Sequence, residues 1–196
     1  LAPSYVAAFG DEAADVPHFL VSAGFAGVSE TALGAEIVST AIPRVLKEGK
    51  VNISSACPVV VEIIEKYYPL HTERITPLLS PALAHAKELK KRFGDDIDVV
   101  FFGPCIAKKK EADTHADALA LALSFQDLRE MMAQAKKPVV RTENPFITER
   151  STAGNIYPVE GGLLNTIRKD CSVLEEDFIS VSGMIGWVGL VIPHLS

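Results

Sequence analysis

Two cysteines stand where chemistry could occur, each just after a predicted strand. Residues 51–54 are predicted to form a strand that runs into Cys57, and residues 98–102 (DVVFF) form the predicted strand before Cys105. In open α/β sheets, ligands gather at the carboxyl ends of the strands, and a helix N-terminus favours the thiolate form of a nearby cysteine. The two thiols are therefore candidate ligands of a metal or cofactor. The alternative is that each is a small buried hydrophobe.

A charged run follows the second of these cysteines. Lys108, Lys109 and Lys110 precede Glu111. Three lysines after an apolar strand are typical of the solvated start of a helix. The functional alternative is that Lys108 turns inward to hold an anionic ligand while Glu111 holds that turn in place. The residue types leave both interpretations open.

The elements that would position these residues alternate between short apolar runs and amphipathic stretches, the pattern of an α/β fold. Periodicity and capping signals predict helices over residues 16–23, 34–47, 59–68, 80–92, 124–135 and 163–169. Strands are predicted over residues 26–31, 51–54, 98–102 and 178–181, with a second apolar run over 118–123. Residues 136–151 carry mixed charge and prolines and are predicted to be a surface connection.

Composition limits the class of protein. The chain has 196 residues, enough for one large domain or two lobes, and 48% hydrophobic with 22% charged residues excludes a disordered chain. The net charge of -6, from 19 basic and 25 acidic residues, argues against a nucleic-acid-binding surface and a polybasic membrane patch. We find no apolar run of the roughly 18–20 residues that would span a bilayer. Neither nucleic acid nor membrane is expected as a partner.

The cysteines also indicate a compartment. Cys57, Cys105 and Cys171 are few, odd in number and far apart, which does not make a disulfide framework. A reducing, cytoplasmic environment is expected. The first residue is Leu1 with no positively charged leader after it, so the sequence is expected to be a piece excised from a longer protein.

Other catalytic patterns receive little support. The five histidines show no HxxxH or HExxH spacing for zinc, and P-loop and GxGxxG motifs are missing from the sequence. A catalytic pair between one of the two cysteines and His85 or His115 remains a formal alternative without local support.

Several segments, taken in order, resemble the C-terminal domain of the iron-only ([FeFe]) hydrogenase large subunit. They are residues 1–4 (LAPS), 54–58 (SSACP), 80–81 (SP), 102–111 (FGPCIAKKKE) and 152–162 (TAGNIYPVEGG). The resemblance extends over residues 1–184. Residues 185–196 are assigned to an uncharged tail of different composition.

The resemblance implies a fold and a cofactor. It implies two lobes of mostly parallel sheet flanked by helices, with a cofactor cleft between them. The family's domain binds the H-cluster, a [4Fe-4S] cubane joined through a cysteine to a di-iron unit that carries CO and cyanide. By position, Cys57 and Cys105 match two cubane ligands, and Lys108 matches a lysine that donates to a cyanide. The further matches to residues around the cofactor are Ala2, Pro3, Ser4, Ser80, Glu111 and Tyr157.

The departures from the family pattern are informative. In the family that this chain resembles, catalytic members have a proton-relaying cysteine at the position of Ala56. They have a methionine at the position of Gly103 and a glutamine at that of Ala82. The family's third motif, with two further cysteines, has no match in the 196 residues. Because a cubane normally needs four thiolates, the chain as given is expected to bind a complete H-cluster poorly or not at all.

The alanine pattern resembles the sensory branch of hydrogenase-like proteins, in which this domain accompanies ferredoxin-like, PAS or other signalling modules. The first hypothesis is therefore an iron–sulfur domain in a redox- or H2-sensing protein. Two alternatives stay open, a fragment of an active hydrogenase and a metal-free interaction domain of the same fold; whether the chain is an enzyme stays open with them. Two geometric expectations follow: Cys57 and Cys105 converge in space, and Lys108 faces inward while Lys109 and Lys110 are exposed.

Overall fold

The structure of the chain is a computed structural model, which describes residues 1–45, 51–136, 138–159 and 161–168. Within these residues lie eight α-helices and one sheet of two strands. The helices are α1 (Tyr5–Phe9), α2 (Asp15–Ser22), α3 (Ala32–Val45), α4 (Pro58–Tyr67), α5 (Pro81–Phe93), α6 (Ala107–Thr114), α7 (Phe125–Gln134) and α8 (Gly162–Arg168). The strands are β1 (Val100–Gly103) and β2 (Leu121–Ser124). Three short 3-10 helices cover Gly10–Glu12, Pro69–Arg74 and Gly154–Ile156.

The sheet is parallel, and its crossover passes through α6. Val100 pairs with Leu121 at one end of the ladder and Gly103 with Ser124 at the other. Parallel strands need a crossover connection, usually a helix, and residues 107–114 supply it. The carboxyl end of β1 therefore opens directly into the turn that carries Cys105.

The main core packs helices against this sheet. Phe101 and Phe102 of β1 and Ala122 of β2 are buried, together with apolar side chains of α1, α2, α5 and α7. Phe102 and Phe25 meet edge to face, with ring centroids 5.7 Å apart. Such aromatic pairs add to the stabilisation from buried area. Because Phe101 and Phe102 point to opposite faces and both are buried, the middle of β1 is packed on both faces.

Two smaller clusters support the remaining helices. Ile53 and Ile64 form one beneath α4, and Val38 and Ile42 of α3 form the other. Leu163 of α8 and Ala84 of α5 pack against the second of these clusters. The second cluster therefore connects α3, α5 and α8, and the first packs α4 against residues 53 and 75.

The helix predictions agree with the structure to within a few residues at each end. All six predicted helices are present, although residues 46–47 and residue 169 of two of them lie outside the described residues. Pro43 lies inside α3. Ser124 begins α7 through a reciprocal capping box with Asp127, and Gly94 ends α5. Local capping chemistry fixed these boundaries.

The predictions of strands over residues 26–31 and 51–54 are wrong, because each of these segments forms only an isolated bridge. In place of a strand over residues 26–31 there is a single parallel bridge between Val28 and Phe146, and in place of one over 51–54 there is a bridge between Ile53 and Ile75. A strand needs a ladder of neighbours along its length, and each of these runs meets its partner at one point. The predicted surface connection, residues 136–151, supplies one of the two bridging partners.

The α/β class is confirmed by this mixture of helices and a parallel sheet. Of the two lobes of sheet that the resemblance implies, the part of the chain that the structure describes contains one sheet, of two strands. The predicted strand over 178–181 and the tail over 185–196 lie outside the described residues. Across the described ranges, no helix is long and apolar enough to cross a membrane.

Candidate functional site

Cys57 is the residue that immediately precedes α4. Its backbone is extended, and Pro58 takes the first helical position, where a missing N–H costs nothing. The turn before it is held by Ser55, whose hydroxyl donates to the Leu78 carbonyl oxygen at 2.8 Å and whose N–H donates to Thr76 Oγ1 at 3.1 Å. The thiol of Cys57 is free and exposed. A fixed turn thus presents an exposed thiol at the start of a helix.

Cys105 occupies the corresponding place after β1. Its thiol is free and half-buried, and its carbonyl oxygen accepts a hydrogen bond from the N–H of Lys108 at 3.2 Å. Ile106, the next residue, is 76% exposed although it is apolar. The turn therefore leads from the buried strand to the protein surface within three residues.

The helices that follow the two cysteines contact each other. α4 packs against α6, and the ammonium of Lys110 lies 2.9 Å from Glu62 Oε2 across that contact. The two cysteine turns are therefore attached to neighbouring helices. That both sulfurs reach one ligand stays a prediction.

Lys108 is buried, and its two neighbours are not. Lys108 is 8% exposed. The side chains of Lys109 and Lys110 are 44% and 67% exposed and pair with Asp127 and Glu62. The expectation that Lys108 alone of the three faces inward is confirmed, and the solvated-face alternative holds only for the other two.

The ammonium of Lys108 is held by residues from two helices. It donates to Glu111 Oε2 at 2.5 Å, one turn along α6, and to Ser80 Oγ at 2.8 Å at the start of α5. Ser80 is itself buried and caps α5 by accepting the Leu83 N–H at 3.4 Å. An ammonium group carries three donors, so a third N–H is left for a further acceptor such as an anionic ligand.

The first residues of the chain lie against the end of β1. The N–H of Ala2 donates to the Phe102 carbonyl oxygen at 2.8 Å, and the Leu1 carbonyl accepts from the Thr31 N–H at 3.0 Å. Ala2 is buried, and Pro3 and Ser4 are half-buried. This segment therefore lies beside the strand that leads to Cys105, and its contact with a cofactor stays a prediction.

Gly103 leaves no room for a side chain. A Cβ at this position would lie 2.5 Å from ring atoms of Phe101 and 3.2 Å from the Ala2 Cβ. Residues two apart in a strand share a face, and the Phe101 ring covers the place of the missing side chain. The Phe101 ring therefore occupies the space that a side chain at position 103 would take. Ala82, the second departure, is buried near the start of α5.

Tyr157 lies within residues 152–162, directly after the 3-10 helix Gly154–Ile156 that contacts α3 and α8. Its hydroxyl is buried and has no hydrogen-bond partner among the described residues. Burial raises the pKa of this phenol above its ordinary value. A buried hydroxyl without a partner costs free energy, and a ligand could supply the missing hydrogen bond.

The described residues supply part of the donor set for a cubane. A [4Fe-4S] cluster is normally held by four thiolates, and Cys57 and Cys105 are two. Over the described residues, no group of three or more His, Cys, Asp or Glu side chains converges as a metal site. The two thiols are potential ligands, and the spare donor of Lys108 and the Tyr157 hydroxyl are potential hydrogen-bond donors. That these four groups face one cofactor stays a prediction, and no reaction step is derived through it.

Sequence reasoning missed a group of buried polar residues around the start of α3. Glu30 and Ser29 are buried, and Ser29 Oγ lies 2.8 Å from His85 Nε2. Burial, with a smaller contribution from the chain's N-terminal charge, lowers the pKa of His85 to about 3. Among the described contacts His85 pairs with a serine, and none supports a cysteine–histidine pair. The available signal was a carboxylate, Glu30, inside the strand predicted over residues 26–31.

An α/β fold with one free cysteine at the start of a helix, and a second one three residues before a buried lysine, defines a candidate cofactor-binding domain. The family model of the iron-only hydrogenase large subunit, C-terminal domain, matches residues 1–184. The chain belongs to this family. The family is the H-cluster domain of iron-only hydrogenases, which implies iron–sulfur cofactors for proteins that contain it.

Proposed function

We propose that this domain binds an iron–sulfur cofactor of the H-cluster type within a redox- or H2-sensing protein. In this proposal Cys57 and Cys105 supply two thiolate ligands of a [4Fe-4S] cluster. Lys108 donates a hydrogen bond to an anionic group of the cofactor, and Glu111 and Ser80 hold the ammonium in place. Ala2, Pro3, Ser4 and Tyr157 form further parts of the pocket.

The observation that carries the proposal is the burial of Lys108. Taking an ammonium out of water costs several kcal/mol unless it is paired and hydrogen-bonded. Here the charge is compensated by Glu111 at 2.5 Å. An apolar residue would fill a core position without this desolvation cost, which indicates that the ammonium has a role besides packing. A buried and oriented ammonium group can form a strong, charge-assisted hydrogen bond to a buried anion. Its position three residues after Cys105 puts it close to a proposed cluster ligand.

Ala56 supports a sensing role over catalysis. It precedes Cys57 and is half-buried, with its N–H 3.3 Å from Ser54 Oγ. A methyl group cannot accept or deliver a proton, so the relay that the family's catalytic members are expected to use is interrupted. In a sensor the cofactor needs to respond to its ligand or its redox state and does not need rapid proton transfer.

Partners and compartment follow from the same proposal. A sensing domain requires a module that receives its signal, and ferredoxin-like, PAS or other signalling modules in the same protein are proposed for that role. The sparse cysteines favour a reducing cytoplasm, where free thiols such as Cys57 stay available to a metal.

The test is anaerobic reconstitution of the complete natural protein with ferrous iron and sulfide. The readouts are the iron and sulfide content and the visible and electron paramagnetic resonance spectra of the cluster. Cys57→Ser and Cys105→Ser are compared with Cys171→Ser, a control cysteine of the same chain outside the family's motifs. Each of the first two variants should lose the domain's cluster, whereas the third should keep it.

A second candidate, a metal-free interaction domain, is favoured by the finding that no three potential ligands converge in the described ranges. The same reconstitution separates the two. A wild-type domain that takes up no iron, with Cys57→Ser and Cys105→Ser indistinguishable from it, would replace the iron–sulfur proposal by the metal-free one.

A further inference from the structure

A single carboxylate oxygen on α3 gathers four hydrogen bonds from one segment of chain. Glu36 Oε1 accepts from the Ser151 hydroxyl at 2.6 Å. It also accepts from three consecutive backbone N–H groups, those of Thr152 at 2.9 Å, Ala153 at 2.7 Å and Gly154 at 3.1 Å. Consecutive N–H groups that point to one place form a concave anion-binding nest, and here the anion is a side chain of the same protein.

The charge of Glu36 is suited to this place. Burial alone would raise the pKa of the Glu36 carboxyl, but the hydrogen bonds from Ser151, Ala153, Gly154 and Thr152 outweigh it and lower that pKa below its ordinary value. Hydrogen bonds to an ionised acceptor are roughly twice as strong as neutral ones. The ionised carboxylate is therefore the form that the segment binds.

A second carboxylate holds the residues just before the nest. Glu30 is 2% exposed, and its Oε1 lies 2.6 Å from the Arg150 guanidinium. Its Oε2 accepts from the Ser151 N–H at 3.2 Å. Glu30 and Glu36 together bind five consecutive residues, 150–154, to the start of α3.

Residues 151–154 pack in direct contact with the start of α3. A Cβ on Gly154 would overlap the carbonyl oxygen of Ala32, the first residue of α3. The 3-10 helix that begins at Gly154 leads directly to Tyr157. The buried hydroxyl of Tyr157 is thus three residues away from the last amide that Glu36 binds.

We propose that Glu36 is a positioning residue that fixes residues 151–157 on α3 and thereby sets the place of Tyr157. What Tyr157 faces rests on the proposed cofactor site, but the anchoring by Glu36 does not. Glu36 Oε1 accepts four hydrogen bonds from this segment, so Glu36 acts through the segment that it binds.

The test compares Glu36→Ala and Glu36→Gln with Glu88→Gln in the cofactor-free protein. Glu88 is an exposed carboxylate of α5 that lines the same surface groove as Glu36, which makes it a matched control. Amide hydrogen exchange is measured for residues 152–154 and for α5. Glu36→Ala should accelerate exchange at 152–154 by at least about tenfold, the loss expected for charge-assisted hydrogen bonds, and leave α5 protected.

Glu36→Gln refines the result, because the glutamine amide keeps an oxygen acceptor and loses the charge. Its exchange rates should lie between those of wild type and Glu36→Ala, a graded rescue that general destabilisation would not give. If Glu36→Ala fails to fold, Glu36→Gln against Glu88→Gln still decides the question. Unchanged protection at 152–154 in Glu36→Gln and in any folded Glu36→Ala would overturn the proposal.

Tyr157 gives an independent readout. Its ionisation is followed by NMR of ¹³C-labelled tyrosine, with Tyr157→Phe to assign the resonance. In wild type Tyr157 should stay protonated at a pH where an exposed tyrosine ionises, and in Glu36→Ala it should ionise near the ordinary value of about 10. Identical titration in both proteins would show that Glu36 does not set its environment. Neither measurement needs a cluster, so failure of the iron–sulfur proposal would be recognised separately.

Discussion

The ammonium of Lys108 lies 2.8 Å from the hydroxyl oxygen of Ser80, a residue 28 positions earlier that also caps α5. One serine thus begins a helix and orients a buried charge on another. The arrangement makes the geometry around Cys105 dependent on α5, although the two segments are far apart in the sequence.

Removal of the Lys108 charge should destabilise the domain strongly. Lys108→Met leaves the Glu111 carboxylate buried without its cation, and breaking one side of a buried pair costs about 3–5 kcal/mol. Lys110→Met, which removes an exposed partner of Glu62, should cost less than about 1 kcal/mol. Urea denaturation of both variants measures the difference.

The double variant Lys108→Met/Glu111→Leu checks the cause. Replacing both partners of a buried ion pair by apolar residues is often close to neutral, so this variant should regain most of the lost stability. If it stays as unstable as Lys108→Met, the loss arises from packing and not from the unpaired carboxylate.

Comparison of two helix-capping serines separates the contribution of the Lys108–Ser80 hydrogen bond from that of capping. Ser124→Ala removes the cap of α7 and should cost about 1 kcal/mol. Ser80→Ala removes the cap of α5 and also a hydrogen bond from a charged donor, so it should cost about 1.5–3 kcal/mol more. Chemical denaturation compares the two. Equal losses would mean that the contact with Lys108 contributes nothing to stability.

Restoring a side chain at position 103 should conflict with Phe101. Gly103→Ala places a Cβ against the Phe101 ring, and overpacking of this kind costs about 1–3 kcal/mol. In a Phe101→Leu background the same substitution should cost less, because the ring is gone. Thermal or urea unfolding of the four proteins forms the cycle, and strict additivity would contradict the proposed contact.

The low pKa of His85, about 3, predicts a pH dependence of stability. Below its ordinary pKa of about 6.5, the imidazole is protonated in the unfolded chain and stays neutral in the folded one. Its contribution is therefore fully present above pH 6.5 and is lost progressively as pH falls toward 3, by up to about 1.4 kcal/mol per pH unit.

His85→Gln should remove this contribution while it keeps a nitrogen near the position that meets Ser29 Oγ. The free energy of unfolding of the variant should therefore fall less steeply between pH 6.5 and 4 than that of wild type. Parallel pH profiles for the two proteins would mean that folding does not lower the pKa of His85.

Ala56→Cys tests the assignment to sensing. In the complete protein loaded with its full cofactor, a thiol at position 56 should raise H2 evolution from reduced viologen, because a positioned proton donor contributes on the order of 10²–10⁴-fold. Ala56→Ser is the control for polarity without an acidic thiol. High and equal rates in wild type and Ala56→Cys would show that protons bypass this position, and they would remove the preference for a sensor.

The sequence determined the local elements of this protein and the candidates for its chemistry. Ser80 with Pro81 and Ser124 with Asp127 mark helix starts through hydrogen bonds that close within three residues, so their signals are readable in the chain. The apolar run before Cys105 is also readable in the chain, and it became β1 because residues 121–124 run alongside it. The spacing from Cys105 to Lys108, interpreted through the family resemblance, identified the lysine that faces inward.

Only the tertiary structure decided the contacts between distant segments. Residues 26–31 have the composition of a strand, but a strand forms only where a neighbour runs along it, and Val28 meets Phe146 at one point. The charge of Glu36 is unremarkable in the sequence, because the four groups that bind it lie more than a hundred positions away. Pairing of this kind depends on the packing of the whole chain, so local spacing could not reveal it.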